Sequence, residues 1–273
     1  MKNLNLFSNI INDTKRKSPL IHAITNPISI NDCANVTLAA GARPIMAEHP
    51  DEVEEITQKS DALAINLGNI TDIRMKSMKI SCHTAATNKI PVVLDPVGAA
   101  ASKLRSDFAN NLIDKFSFSI IKGNMSEIKS LLGLSSHPLG IDVGKEDEID
   151  SENIKTSVTI AKKMSAKSGS VIMITGKYDI VSNNKNTFII KNGTPMLTKI
   201  TGTGCMSGIL AASYLPNTDP LTAAAFACLC RGVAGELADK NSNGPSSFRT
   251  AFLDAIYLMD CSKIAKYADF NIL

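Results

Sequence analysis

The stretch ITGTGCMSG, residues 200–208, decides how the chain is read. Pro195 to Ile200 before it reads as a short strand, and the apolar, small-residue run Met206 to Leu215 behind it reads as a buried helix. A glycine turn between strand and helix leaves backbone N–H groups at the positive end of a helix dipole, where they can face an anion. Gly202 and Gly204 permit positive φ and remove the Cβ that would hold an anion away. Cys205 falls in the first turn of that helix, a position that favours a thiolate. The turn lacks the Gly-Lys-Ser/Thr close of a P-loop, and Gly208 comes one residue late for a dinucleotide fingerprint. Alone, the stretch fits either an anion-binding turn or an ordinary glycine turn leading into a core helix with a buried cysteine.

Outward from this turn, strand and helix signals alternate. Leu20–Thr25, Arg43–Ala47, Ala62–Leu67, Pro91–Asp95, Phe118–Lys122 and Val171–Thr175 are apolar runs of strand length. Between them Ser29–Ala40, the run opened by Pro50-Asp51-Glu52, Asp72–Asn88, Leu104–Lys115, Met125–Leu132 and Asn153–Ser168 carry helical spacing or helix-start signals. Residues 4–14 read as a short amphipathic helix and 135–150 as a loop. Asp179–Ser182, Phe188–Lys191 and Pro195–Ile200 read as hairpin strands, and helices over Met206–Leu215, Leu221–Asp239 and Ser246–Ala265 close the chain. Continuous apolar strands alternating with helices predict an α/β fold: a mostly parallel sheet covered by helices on both faces, with a short antiparallel hairpin region. No linker or low-complexity stretch divides residues 1–273, so a single domain is expected.

Composition removes several function classes. A net charge of +3 over 273 residues gives no basic field for nucleic acid or an anionic membrane, and the absence of Trp argues against a base-stacking surface. No apolar run is expected to span a membrane, and the N-terminal residues lack a signal-peptide pattern, so a cytoplasmic protein is expected. The cysteines (33, 82, 205, 228, 230 and 261) form no CxxC pair, and the histidines (22, 49, 83 and 137) form no HExxH, so neither a disulfide framework nor a transition-metal site is predicted. Cys228 and Cys230, two apart on a helix, point to opposite faces and read as core residues.

In open α/β sheets, ligands lie beyond the carboxyl ends of the strands. The residues there are Asn26, Met46, Asp95, Lys122, Glu127 and Thr175, with Gly202 and Cys205 on the glycine turn. A lysine, two acids, a threonine and a helix N-terminus at one edge suit a nucleoside triphosphate with Mg²⁺. Each also has a plainer reading: Asn124 and Glu127 form a capping box, Asp95-Pro96 a strand stop, Thr175-Gly176 a turn, and Met46 a core residue.

Seven motifs in order carry a family likeness: HAITNPISINDCAN (22–35), GARPIMAEHPDEVEE (41–55), ALAINLGN (62–69), PVVLDPVGA (91–99), IIKGNMSEI (120–128), ITGKYD (174–179) and ITGTGCMSG (200–208). On these the chain resembles the hydroxyethylthiazole kinases of thiamine salvage, which have a ribokinase-like fold. The resemblance implies ATP- and Mg²⁺-dependent phosphorylation of the hydroxyl of 4-methyl-5-(2-hydroxyethyl)thiazole by a homotrimer with sites between subunits. It implies substrate contacts by Met46 and Gly202, with Asn26 beside them, ATP contacts by Lys122 and Thr175, and Mg²⁺ near Asp95 and Glu127. Cys205 matches the position where ribokinase-like sugar kinases carry a catalytic Asp, and reads as a weak base or as part of an anion hole. Lys122 stands where the family usually has Arg, a point charge in place of a fork, and Ala100 stands where the family has Gly, which would be strained if φ were positive. Two other readings stay open: a non-catalytic thiazole or nucleotide sensor, and a related enzyme such as a hydroxymethylpyrimidine kinase or an ATP-dependent repair dehydratase.

Overall fold

The computed structural model describes residues 4–7, 9–136, 138–139, 142–144, 147, 149–150 and 153–273. Strands β1 (Leu20–Ile24), β2 (Arg43–Ile45), β3 (Ala62–Asn66), β4 (Val92–Asp95), β5 (Ile120–Gly123) and β8 (Val171–Ile174) pair in parallel. Strands β9 (Asp179–Ser182), β10 (Thr187–Ile190) and β11 (Phe270–Ile272) extend the sheet antiparallel. The order is β11-β10-β9-β8-β5-β4-β3-β1-β2. Every residue of β3, β4, β5 and β8 is buried, as expected of strands covered on both faces. Two-residue strands β6 (Pro138–Leu139) and β7 (Asp142–Val143) pair separately, within the stretch expected to be loop.

The helices are α1 (Ile10–Lys17), α2 (Ile30–Ala39), α3 (Val53–Gln58), α4 (Asp72–Asn88), α5 (Lys103–Lys115), α6 (Met125–Leu131), α7 (Ile154–Ser168), α8 (Thr203–Tyr214), α9 (Pro220–Lys240), α10 (Pro245–Tyr257) and α11 (Cys261–Tyr267). Alternate strand residues feed two cores. Leu63, Ile65, Val92 and Leu94 pack on the face that carries α4 to α7. Ala62, Ala64 and Val93 face α8 and α9. Small side chains on this second face, matched by Ala211 and Ala212 of α8, let that helix sit close on β3 and β4. The site depends on that closeness.

From β1 the chain crosses to β2 on one side, then returns past β1 to β3 on the other. This reversal leaves a crevice at the carboxyl ends of β1 and β3, the place where doubly wound sheets bind ligands.

Five further expectations change. Pro195–Ile200 is not a strand: Pro195–Thr198 forms a 3₁₀ turn, with Thr194 Oγ1 accepting from Met196 N at 3.3 Å. Proline at its first position has the fixed φ of a helical turn and no N–H for a ladder. The last predicted helix is two, α10 and α11, because Asp260 caps a new start by accepting from Lys263 N at 2.8 Å. The strand β11 that follows carries only one buried residue, Phe270, so its apolar signal was weak. The N-terminal helix is a 3₁₀ turn over Leu4–Phe7 followed by α1. Finally, α9 is long and apolar enough to cross a membrane, but 89% of its apolar window is buried inside the fold, so it is a core helix. Cys228 and Cys230 lie buried within it, as predicted.

Candidate active site

The carboxyl ends of β1, β3, β4 and β5 meet the N-terminus of α8. Gly202 is the N-cap of α8 at φ +84°, where a Cβ would strain the backbone and would lie 3.0 Å from Ser29 Cβ. The first intrahelical bond runs from Met206 N to Gly202 O at 2.8 Å. The N–H groups of Thr203, Gly204 and Cys205 precede it and have no intrahelical partner. Gly204 lies within the helix, so only Gly202 uses the positive φ that sequence allowed to both.

Beneath this terminus, buried polar groups form a chain. Lys122 Nζ donates to Asp95 Oδ1 at 3.2 Å and lies 3.3 Å from where a Gly204 Cβ would stand. Asn66 Nδ2 donates to Asp95 Oδ2 at 3.0 Å and to Cys205 Sγ at 3.3 Å. Asn26 Nδ2 donates to Cys205 Sγ at 3.2 Å and to Asn66 Oδ1 at 3.0 Å. The parallel register that sets Asn66 beside Asp95 makes this possible.

Electrostatics follow from burial. Removal from water pushes the Asp95 carboxyl up, against the pull of Lys122 and Asn66. Burial acts against the Lys122 charge, but Asp95, Glu127 and Cys205 together outweigh it, and its pKa rises. Lys122 is therefore a fixed cation. Burial, then the neighbouring Asp95, raises the Cys205 thiol despite Lys122 and the Ser29 and Asn26 hydrogen bonds. The thiolate expected of a helix N-terminus is thus overridden, because desolvation and a carboxylate outweigh the dipole.

Glu127 does two jobs. It completes the predicted capping box, accepting from Asn124 N at 2.7 Å while Asn124 Oδ1 accepts from Glu127 N at 2.9 Å. Its other oxygen accepts from Gly98 N at 2.8 Å, which ties the loop after β4 to the start of α6. Burial raises its pKa to about 7, opposed by Lys122 and the two backbone bonds and reinforced by Asp95. Gly98 takes the positive φ in that loop, at +75°, and Ala100 does not, so Ala100 is unstrained.

Thr175 follows β8, its N–H bonded to Gly123 O at 2.9 Å, and the adjacent Gly176 N donates to Asp179 Oδ1 at 3.0 Å. Met46 follows β2 and is half-buried against the α8 face of the core. The structure thus brings Asn26, Asp95, Lys122, Glu127, Gly202 and Cys205 to one edge; Thr175 flanks it beyond β5, and Met46 lies by the outermost strand, β2. Among the described residues no three His, Cys, Asp or Glu side chains cluster as metal ligands. The two carboxylates Asp95 and Glu127 still fit Mg²⁺, which takes one or two carboxylates and fills the rest of its shell with other oxygens.

Three contributors escaped the sequence reading. Asn66 ends a buried strand, and nothing local marks its amide as polar machinery. Arg74, on α4, donates through Nη1 to Gly68 O and Asn69 O, both at 2.9 Å, and through Nη2 to Thr25 O, while Nε pairs with Glu48 at 3.3 Å. It staples the loops after β1, β2 and β3. Asp32 of α2, joined to Arg249 of α10 by a bond from Nε at 2.8 Å, similarly braces the region beside Gly202.

The fold defines the class, ribokinase-like. A solved ribokinase-like superfamily protein from Enterococcus faecalis superposes with a TM-score of 0.62 at 14% identity, covering 89% of this chain and 88% of that one. A profile of the hydroxyethylthiazole kinase family matches residues 11–261, and the chain belongs to that family. It is 50% identical to hydroxyethylthiazole kinase 2 of Clostridium botulinum over 259 residues, 95% of this chain and 97% of the relative. A solved hydroxyethylthiazole kinase protein from Pyrococcus horikoshii superposes with a TM-score of 0.89 at 30% identity, each chain covered in full.

Proposed function

We propose that this chain transfers the γ-phosphoryl group of ATP to the hydroxyl of 4-methyl-5-(2-hydroxyethyl)thiazole. The observation that carries this reading is the Gly202-capped start of α8 facing the buried Asn66–Asp95–Lys122 chain, in a member of this family. The whole chain acts as one kinase unit in the cytoplasm.

The hydroxyl oxygen attacks the γ-phosphorus, the bond to the β,γ-bridging oxygen breaks, ADP leaves, and the hydroxyl proton passes to water. Such a transition state is loose, so positioning and charge neutralisation dominate the catalysis. The N–H groups of Thr203, Gly204 and Cys205 face the transferring oxygens, and Lys122 with Thr175 lies toward ATP. Asp95 and Glu127 would hold Mg²⁺, which when bound neutralises phosphate charge. Cys205 stays protonated. The Cys205 sulfur already accepts the Asn26 and Asn66 amide N–H groups, which occupies the lone pairs that a base would use. That favours a place in the anion hole over a role as base.

Met46, Gly202 and Asn26 contact the thiazole. The ring is flat and weakly polar, and half-buried Met46 suits it better than it suits a sugar. Met46 also follows the edge strand β2, and the segment around α2 that packs on β2 exposes Ile28 and Leu38, which are 60% and 55% accessible. Covering this edge with a neighbouring copy supports a homotrimer with sites between subunits.

The test is ADP release with ATP, Mg²⁺ and the thiazole alcohol, against hydroxymethylpyrimidine and ribose. Turnover with the thiazole alone is expected. Binding of the thiazole without turnover would instead favour a sensor.

A further inference from the structure

Asn66 uses all four hydrogen-bonding positions of its carboxamide. Oδ1 accepts from Gly68 N at 2.9 Å and from Asn26 Nδ2 at 3.0 Å. A backbone N–H can only donate, so this contact fixes which end of the amide is oxygen. Nδ2 is then turned toward Asp95 Oδ2 at 3.0 Å and Cys205 Sγ at 3.3 Å. The Asn26 amide is fixed in the same way, since its Oδ1 accepts from Ser29 N at 3.0 Å. Backbone N–H groups of Gly68 and Ser29 therefore set two amides, and the two amides set the sulfur.

We propose that Asn66 is a positioning residue for phosphoryl transfer: its amide nitrogen holds the Cys205 sulfur and the Asp95 carboxylate in fixed relation at the start of α8. The inference rests on the kinase reading above and assigns Asn66 no contact with substrate. The two halves of the side chain do different work. The oxygen anchors the loop after β3, a structural task. The nitrogen orients the reacting edge, and misplacement there by about 1 Å is worth about 10²-fold in rate.

Asn66→Asp separates the two halves, because it keeps an acceptor for Gly68 N and Asn26 Nδ2 and removes both donors. The expected result is a folded protein whose kcat falls about 10²-fold while KM for the thiazole alcohol and for ATP stays within about threefold. Asn66→Ala, should the aspartate variant fail to fold, is measured in wild-type and Cys205→Ala backgrounds. Its effect on kcat shrinks in the second background if Asn66 acts through the sulfur. Wild-type kcat in Asn66→Asp, or the same fold-loss from Asn66→Ala in both backgrounds, overturns the proposal. A wild-type protein with no thiazole-dependent ADP release would sink the kinase reading itself, a result distinct from either of these.

Discussion

Lys122 Nζ and Asp95 Oδ1 lie 3.2 Å apart, with both side chains buried beneath the N-terminus of α8. The attraction offsets two desolvation penalties, so the pair is worth less than its distance suggests, but breaking one half strands a buried charge.

Lys122→Ala is therefore expected to cost about 3–5 kcal/mol of stability, read from urea unfolding. Lys122→Met with Asp95→Asn should recover much of that loss, because no unpaired charge remains. In the assay Lys122→Ala should raise KM for ATP or lower turnover, and unchanged values for both would remove Lys122 from the ATP site.

His22 is buried between two partners. A carbonyl only accepts, so Nε2–H donates to Ala47 O at 2.9 Å and Nδ1 accepts from the Thr57 hydroxyl at 2.9 Å. Burial lowers its pKa from 6.5, against the Ala47 bond and the nearby Glu52. Below pH 6.5 the unfolded chain then binds the extra proton first, and stability falls as pH falls, by up to about 1.4 kcal/mol per pH unit. Glu127, its carboxyl raised to about 7, contributes the opposite slope to both proteins over this range, so the test is the difference between them. From pH 7 to 5 the urea midpoint of the wild type should fall relative to that of His22→Asn, and parallel curves would assign the effect elsewhere.

At Gly202 the φ of +84° strains any side chain, and the 3.0 Å approach to Ser29 Cβ crowds it. Gly202→Ala should lose about 1–2 kcal/mol from the backbone alone. Because the change tilts the start of α8, activity should fall further than stability. Thermal melting and ADP release on the same preparation separate the two, and an active alanine variant would count against the anion-hole geometry.

Arg74 serves three carbonyls and Glu48 at once. Arg74→Lys keeps the charge but not the planar fork, so it should behave much like Arg74→Ala, with a loss of about 3 kcal/mol or more. Thermal melting tests this, and near-normal stability in the lysine variant would mean that charge alone suffices.

Much of this molecule was legible in one dimension. The parallel strands read as continuous apolar runs because burial on both faces forbids polar alternation, as in ALAIN and VVLD. Helix starts such as Asn124–Glu127 read correctly because a capping box is local. The strand-end rule then collects Asn26, Asp95, Lys122 and Glu127. Local rules failed where the decisive contact was elsewhere. Residues 195–198 turn through a capped 3₁₀ segment, and β11 exists because β10 offers an open edge. The sequence by itself determined the order of strands and helices and the residue types at the sheet edge, since both follow from periodicity along the chain. Tertiary structure alone decided that Asn26 and Cys205, 179 residues apart, share a hydrogen bond, that Asn66 faces Asp95, and that Cys205 remains a thiol. Hydrogen bonds and desolvation depend on which groups pack side by side, and here the neighbours come from distant parts of the chain.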